Sequence, residues 1–337
     1  MLKKVLCFSM CALLLCFAFT PESPADDKNL IIATATPGGT YYPVGVAIGT
    51  LISIKLKASK GIQATAINSA GSGENVSMIK KKEADLALLQ SLFALEAFRG
   101  EGMYKGKPEK DFRSISMLWQ NVEHFPVLKE YVKTGHIEDL RNLKGKPFSI
   151  GKRGSGTEGS GRAILKSIGL DPDKELTLEY LDYNQSVQAM MDRRIGGANI
   201  PAGPPASAIT QLYAQLGEKG SIVLDFTDEQ IARLRKFYPI WTRFVIKAGT
   251  YPGQSKDIKT IGQPNILVAR KDLPEEVVYL ATKTMFENLP FLTNIHPATK
   301  ELSLKEALDG LPTPLHPGAA KYYKEKGVQI PQDLMPD

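Results

Sequence analysis

One local pattern constrains this chain more than its size or overall composition. An apolar strand-like run leads into a glycine-rich polar loop, and the loop leads into a helix. The pattern occurs first where Leu30-Ile31-Ile32-Ala33 passes through Thr36-Pro37-Gly38-Gly39-Thr40-Tyr41-Tyr42-Pro43-Val44-Gly45 into the apolar Val46 to Ile52. It occurs again after the short strand Gln63–Ile67, at Asn68-Ser69-Ala70-Gly71-Ser72-Gly73-Glu74-Asn75. A third copy follows Pro147-Phe148-Ser149-Ile150, with glycines from Gly151 to Gly161 and a helix from Arg162 to Ile168 that Gly169 stops. Recurring strand–loop–helix units predict an α/β fold, in which ligands bind outside the carboxyl ends of the strands.

Each loop is suited to an anion. Glycine lets the backbone approach a ligand closely, and the first N–H groups of the following helix have no partner of their own. Thr40, Tyr41 and Tyr42 set a hydroxyl and two phenols beside the first loop. The strand-like Asp85-Leu86-Ala87-Leu88-Leu89 runs into Gln90 and Ser91, whose polar side chains emerge at its carboxyl end. Arg153, beside the third loop, is a candidate for a bidentate carboxylate contact. The stretch Val187–Ile200 echoes Val76–Leu89 as an amphipathic helix, a polar turn and a strand, a repeated architecture with little residue identity. Farther on, Asn265–Ala269 reads as a strand and Glu275–Asn288 as a helix with Pro274 in its first turn.

The first 25 residues read as a secretory leader cleaved after Ala25. Lys3 and Lys4 precede an apolar run of about fifteen residues, shorter than the roughly twenty that span a bilayer. Cys7, Cys11 and Cys16 all lie in this leader, so the remaining chain has no thiol for a disulfide, a nucleophile or a metal. A lipid anchor on Cys16 is disfavoured by Leu13-Leu14-Leu15 before it. The mature 312 residues exceed the size at which single cores usually stop growing, which predicts two lobes. They carry 40 basic and 35 acidic residues without a dense basic block, a pattern that fits nucleic acid poorly.

Catalytic patterns are sparse. His124, His136, His296 and His316 are isolated, with no His-x-x-x-His pair, and there is no G-x-S-x-G elbow. Gly154-Ser155-Gly156-Thr157-Glu158-Gly159 matches G-x-G-x-x-G, with Glu179 and Asp182 at ribose-contact spacing, so a dinucleotide-binding enzyme is the rival reading. Its position in mid-chain and the leader before it argue for a binding protein without enzymatic activity, cofactor or metal. Trp119 and Trp241, near the crossings between lobes, read as hinge or core residues, with core the preferred reading.

Six ordered motifs carry a resemblance that spans almost the whole mature chain. They are Gly38–Gly45, Gly71–Asn75, Glu83-Ala84-Asp85-Leu86-Ala87, Gly154–Thr157, Ala248-Gly249-Thr250-Tyr251-Pro252-Gly253-Gln254 and Leu315-His316-Pro317-Gly318-Ala319-Ala320. On these the chain resembles the TAXI-type solute receptors of tripartite ATP-independent periplasmic (TRAP) transporters. The resemblance implies a two-lobed periplasmic-binding-protein fold of the second type. One lobe would comprise 26–120 with about 241–337, the other about 121–240. It further implies a periplasmic monomer that captures a small organic anion, glutamate-like or a dicarboxylate, and delivers it to TRAP permease subunits. The matching cleft positions are Thr40, Tyr41, Tyr42, Ser72, Asn75, Gln90, Ser91, Ser155, Gly156 and Thr157. Two stretches depart from the family pattern. Ile195–Pro201 lacks the usual acidic residue, and Lys152-Arg153 is unusually basic, which points to a more anionic solute. A secreted sensor presenting ligand to a membrane kinase is the alternative role.

Overall fold

The structure, a computed structural model, describes residues 28–337, so the expected leader and its three cysteines lie outside the described residues. In chain order the strands are β1 (Lys28–Ala33), β2 (Ile62–Ile67), β3 (Leu86–Gln90), β4 (Phe112–Val122), β5 (Pro126–Leu128), β6 (Pro147–Ser149), β7 (Thr177–Glu179), β8 (Gly197–Ala198), β9 (Ser221–Val223), β10 (Thr242–Ile246) and β11 (Ile258–Arg270). They form two mixed sheets. The first runs β10-β11-β3-β1-β2 with β4 also on β11, and the second runs β7-β6-β8-β5-β9.

The two sheets share one plan. In the first, β1 lies parallel between β2 and β3, and β11 closes on β3 antiparallel. In the second, β6 lies parallel between β7 and β8, and β5 closes on β8 antiparallel. The chain thus builds the same α/β unit twice, as the echo of Val76–Leu89 in Val187–Ile200 foreshadows. This is the two-lobed fold of periplasmic solute-binding proteins.

Three helices start at the glycine loops of the sequence. Helix α1 (Tyr41–Lys60) extends past the expected end near Ile54 because Leu56 still buries into the core. It stops at Gly61, whose φ of 64° belongs to a left-handed C-cap and whose N–H reaches Leu56 O and Lys57 O. Helix α2 (Ser72–Lys80) begins inside the second loop, and α3 (Ser91–Arg99) follows β3 directly. Helix α4 (Gly156–Ser167) starts six residues before the expected Arg162, because Ser155 Oγ accepts from Glu158 N and caps it. The glycines read as loop are its first turns. Gly161 is there for space, since a Cβ would stand 2.8 Å from Asn199 Nδ2.

Two long strands connect the lobes. On β4, Phe112 to Trp119 pack into the first-lobe core, while Val122 packs with Val187, Met190 and Ile209 of the second lobe. On β11, Ile258 and Ile261 pack with the second lobe and Ile266 to Ala269 with the first. Trp241, Ile246 and Tyr251 also pack with second-lobe residues. Each lobe buries its own apolar side chains, and Trp119 and Trp241 are both fully buried. Among the described residues no helix is long and apolar enough to cross a membrane.

Candidate functional site

The carboxyl ends of β1, β3, β6 and β8 deliver residues to one cavity between the lobes. It is small, and the centre of a water molecule can range over about 30 Å³ within it. Four helices begin at its wall: α1 at Tyr41, α2 at Ser72, α4 at Gly156, and the helix Tyr183–Met191 at Tyr183. A helix N-terminus carries roughly half a positive charge and several unpaired N–H groups. In α4, the amides of Glu158 and Gly159 both bond to Ser155, which leaves those of Gly156 and Thr157 to an acceptor outside the helix. The wall holds one cation, Lys152, and one carboxylate, Asp182. Such an arrangement is suited to holding a small anion by oriented backbone dipoles.

Of the sequence candidates, Thr40, Tyr41, Ser72, Gln90, Ser155, Gly156 and Thr157 line this cavity. Several have structural bonds of their own. Tyr41 donates its O–H to Asn265 Oδ1 at 2.6 Å, and its ring meets Trp119 edge-on at 6.0 Å. Burial, with Tyr183 nearby, holds the Tyr41 phenol well above its ordinary pKa. Ser72 Oγ accepts from Gln90 N at 3.0 Å and keeps its own proton to donate. Thr157 Oγ1 and Tyr183 Oη lie 2.8 Å apart, and Tyr183 donates to Pro201 O.

The structure does not bring the other candidates to the cavity. Asn75 is fully buried and its Nδ2 donates to Thr34 O and Leu88 O while its Oδ1 accepts from Ser69, so it pins the second loop to the ends of β1 and β3. Ser91 donates to Gly310 O. Tyr42 is half-buried and lies off the cavity wall. Arg153 turns outward and stacks over the Tyr180 ring, 3.6 Å from its centroid. The rival ribose contact, Asp182, does stand in the cavity wall, but there it caps its helix by accepting from Gln185 N at 2.8 Å. His124, His296 and His316 serve the fold: the last two cap helical turns, accepting from Ala298 N and Gly318 N.

Asn121, Lys152, Asp182, Tyr183, Pro201 and Ala202 are wall residues beyond the candidate set. Most were legible in the internal echo. Laying Val187 on Val76 pairs Gly71 with Asp182, Ser72 with Tyr183, Gln90 with Pro201 and Ser91 with Ala202. All but Ser91 of these eight line the cavity. Asn121 lies on a bridging strand that repeats nothing, and no local pattern marks it.

The lobes touch around the cavity. Thr40 donates to Gly203 O at 2.9 Å, and Ser207 Oγ and Ala208 N both donate to Gly38 O, at 3.0 and 3.2 Å. The loop glycines face the opposite lobe. A Cβ at Gly39 would stand 2.9 Å from the Tyr183 ring, and one at Gly73 only 1.7 Å from Gly154 O. These glycines therefore serve the approach of one lobe to the other as much as the approach of backbone to ligand.

A model of the family described as NMT1-like matches residues 32–327. The chain belongs to the NMT1-like family. Among solved structures it is similar to MatC from Rhodopseudomonas palustris with bound malate, at 13% identity and a TM-score of 0.52, over 88% of this chain and 96% of that one. It is similar also to PhnD1 from Prochlorococcus marinus in complex with methylphosphonate, at 12% identity and a TM-score of 0.50, over 81% and 92% of the two chains. A third is a binding protein component of an ABC phosphonate transporter from Pseudomonas aeruginosa, at 14% identity and 0.50, over 85% and 84%. At these identities the likeness is one of fold.

Behind the cavity, this NMT1-like chain buries two titratable groups where β4 leaves the first lobe. Glu123 has no exposed surface, and neither carboxylate oxygen has a hydrogen-bond partner. Burial pushes its carboxyl up to about 8, with only a small offset from nearby Ser160. His124 is pushed down to about 4 by the same burial. Its neutral ring donates from Nδ1 to Val122 O and Ile200 O and accepts the Tyr251 hydroxyl at Nε2, 2.7 Å away. That bond ties the Ala248–Gln254 motif to the crossing between lobes.

Proposed function

We propose that this NMT1-like protein is a periplasmic solute receptor of the TAXI type, which captures a small organic anion between its lobes and delivers it to the membrane subunits of a TRAP permease. The observation that carries this reading is the convergence of four helix N-termini, two from each lobe, on one cavity with a single lysine in its wall. A carboxylate held there bonds to both lobes at once and biases the hinge toward the closed form. The energies are adequate. A favourable anion–helix contact contributes roughly 0.3 to 2 kcal/mol, a charge-assisted hydrogen bond about 1.5 to 3, and micromolar binding needs about 8. The six sequence motifs of the TAXI type support the choice of transporter class.

The test uses the protein stripped of copurified ligand by unfolding and refolding. Dicarboxylates, amino acids and 2-oxo acids are screened by thermal melting and then by calorimetry. A binding acid raises the melting temperature in proportion to the logarithm of its concentration. A flat response across the panel refutes the reading. Uptake of the binding acid by proteoliposomes holding TRAP permease subunits, dependent on the added receptor, tests the delivery step.

A further inference from the structure

The buried Glu123 has no part in the capture described so far, yet it stands directly behind the cavity. The ladder between β4 and β11 continues through it, since its N–H donates to Ile261 O and its carbonyl accepts from Thr260 Oγ1 at 2.7 Å. Alternation sets its side chain on the same side of the strand as Asn121, two residues back, which lines the cavity. Its neighbours agree with that placement. Ser160 lies close to the carboxyl and one turn along α4 from the free amides of Gly156 and Thr157. Tyr183, itself a wall residue, is near enough to feel the Glu123 charge.

Nothing at this place compensates a negative charge. Glu123 has no exposed surface, and neither carboxylate oxygen has a hydrogen-bond partner. The elements packed against it present Ser160 from α4, Thr260 and Ile261 from β11, and Tyr183 from the helix Tyr183–Met191. Of these only Tyr183 titrates, and burial holds its phenol well above the ordinary value, so it stays neutral. His124, next on the same strand, bonds to Val122 O, Ile200 O and the Tyr251 hydroxyl, and burial keeps it neutral above about pH 4. The cavity wall contributes Lys152 and Asp182, of opposite sign. Glu123 is therefore neutral up to about pH 8 and carries an uncompensated charge above it.

A solute carboxylate in the cavity meets that charge at short range. Two residues of strand span about 7 Å. At an effective dielectric constant of about 20, like charges about 7 to 10 Å apart weaken binding roughly fifteen- to fiftyfold. We propose that Glu123 links solute capture to a proton: the bound anion and an ionised Glu123 oppose one another, so the protein holds its solute tightly only with Glu123 protonated and takes up a proton on capture in alkaline solution. This rests on the proposed capture of an anion and adds a proton to it. The bound anion keeps Glu123 protonated to higher pH than in the free protein, so affinity is full at about pH 7 and declines as pH rises through about 8.

The test is calorimetry with succinate and 2-oxoglutarate, both fully ionised from pH 7 to pH 9.5, or with the tightest acid of the panel where neither binds. The dissociation constant should rise about tenfold across this window. Titrations at pH 8.5 in buffers of different ionisation enthalpy should show more than about half a proton taken up per solute. Glu123→Gln, which mimics the protonated carboxyl, should bind within about threefold of the parent at pH 7, lose the pH dependence and take up no proton. Melting at each pH confirms that the proteins are folded, and Glu123→Leu replaces the glutamine variant if that one does not fold. Affinity independent of pH in the parent, or a pH dependence that survives in Glu123→Gln, overturns the inference and leaves the receptor function standing. A flat response to the whole panel removes both.

Discussion

Replacing Gly73 by alanine should stop the lobes from closing without disturbing either lobe. The added Cβ would stand 1.7 Å from Gly154 O and 2.9 Å from Gly154 C. A carbon–oxygen contact settles at about 3.3 Å, so the loop carrying Gly154 must withdraw by roughly 1.5 Å. The amides of Gly156 and Thr157 follow that loop directly, and a hydrogen bond stretched from about 2.9 to more than 4 Å is lost. Two charge-assisted bonds at about 1.5 to 3 kcal/mol each amount to roughly 3 to 6 kcal/mol. At about 1.4 kcal/mol per decade, affinity should fall roughly a hundredfold to ten-thousandfold. Gly73 lies in the first turn of α2 with an ordinary backbone, so alanine suits its helix, and the nearest atom it meets within its own lobe is in the Phe93 ring, at 3.1 Å. The unliganded variant should therefore melt within a few degrees of the parent. Calorimetry with the tightest acid from the panel measures affinity, and small-angle scattering measures compaction on binding. A Gly73→Ala protein that compacts as the parent does and binds within threefold of it would refute the reasoning.

Glu123 should make stability fall as pH rises. Its folded pKa of about 8 lies above the ordinary 4.5, so the folded state keeps a proton that the unfolded state releases. Stability from this group is fully present below about pH 4.5 and drains away through about pH 8, by up to roughly 5 kcal/mol. Urea unfolding of the parent and of Glu123→Gln at pH 5 and pH 8 isolates the effect as a difference between the two proteins, and parallel pH dependences would contradict it. Tyr41→Phe removes the donor to Asn265 Oδ1, whose Nδ2 is already unpartnered, and should cost about 1 to 3 kcal/mol. Scanning calorimetry reads that loss, and an unchanged melting temperature would mean that the bond contributes nothing.

Much of the architecture was legible because it is local. The glycine loops mark three helix starts, since a helix start needs only a cap, a turn and an apolar run behind it. Where the reading stopped short, the reason was also physical. Gly156, Gly159 and Gly161 look like loop by propensity, yet the Ser155 cap and packing against Asn199 hold them in α4. Arg153 and Lys152 are indistinguishable as neighbours in sequence. The ring of Tyr180 draws Arg153 outward, while Lys152 stays at the cavity. Asn75 and Ser91 looked like ligand contacts because they sit at loop ends, but the backbone carbonyls around them take up their bonds.

By itself the sequence determined the α/β units, their repetition, and which loops stand at the carboxyl ends of the strands, because periodicity and turn chemistry are set by residues close together in the chain. Tertiary structure alone decided which polar groups remain free. Asn121 meets Gln263 across more than a hundred residues, and Gly73 meets Gly154 across the boundary between the lobes. Whether a side chain is left with an unmet hydrogen bond depends on every neighbour in space. That is why the opening loop announced an anion site, and why the unpaired carboxamides beneath the cavity came to light only in the folded molecule.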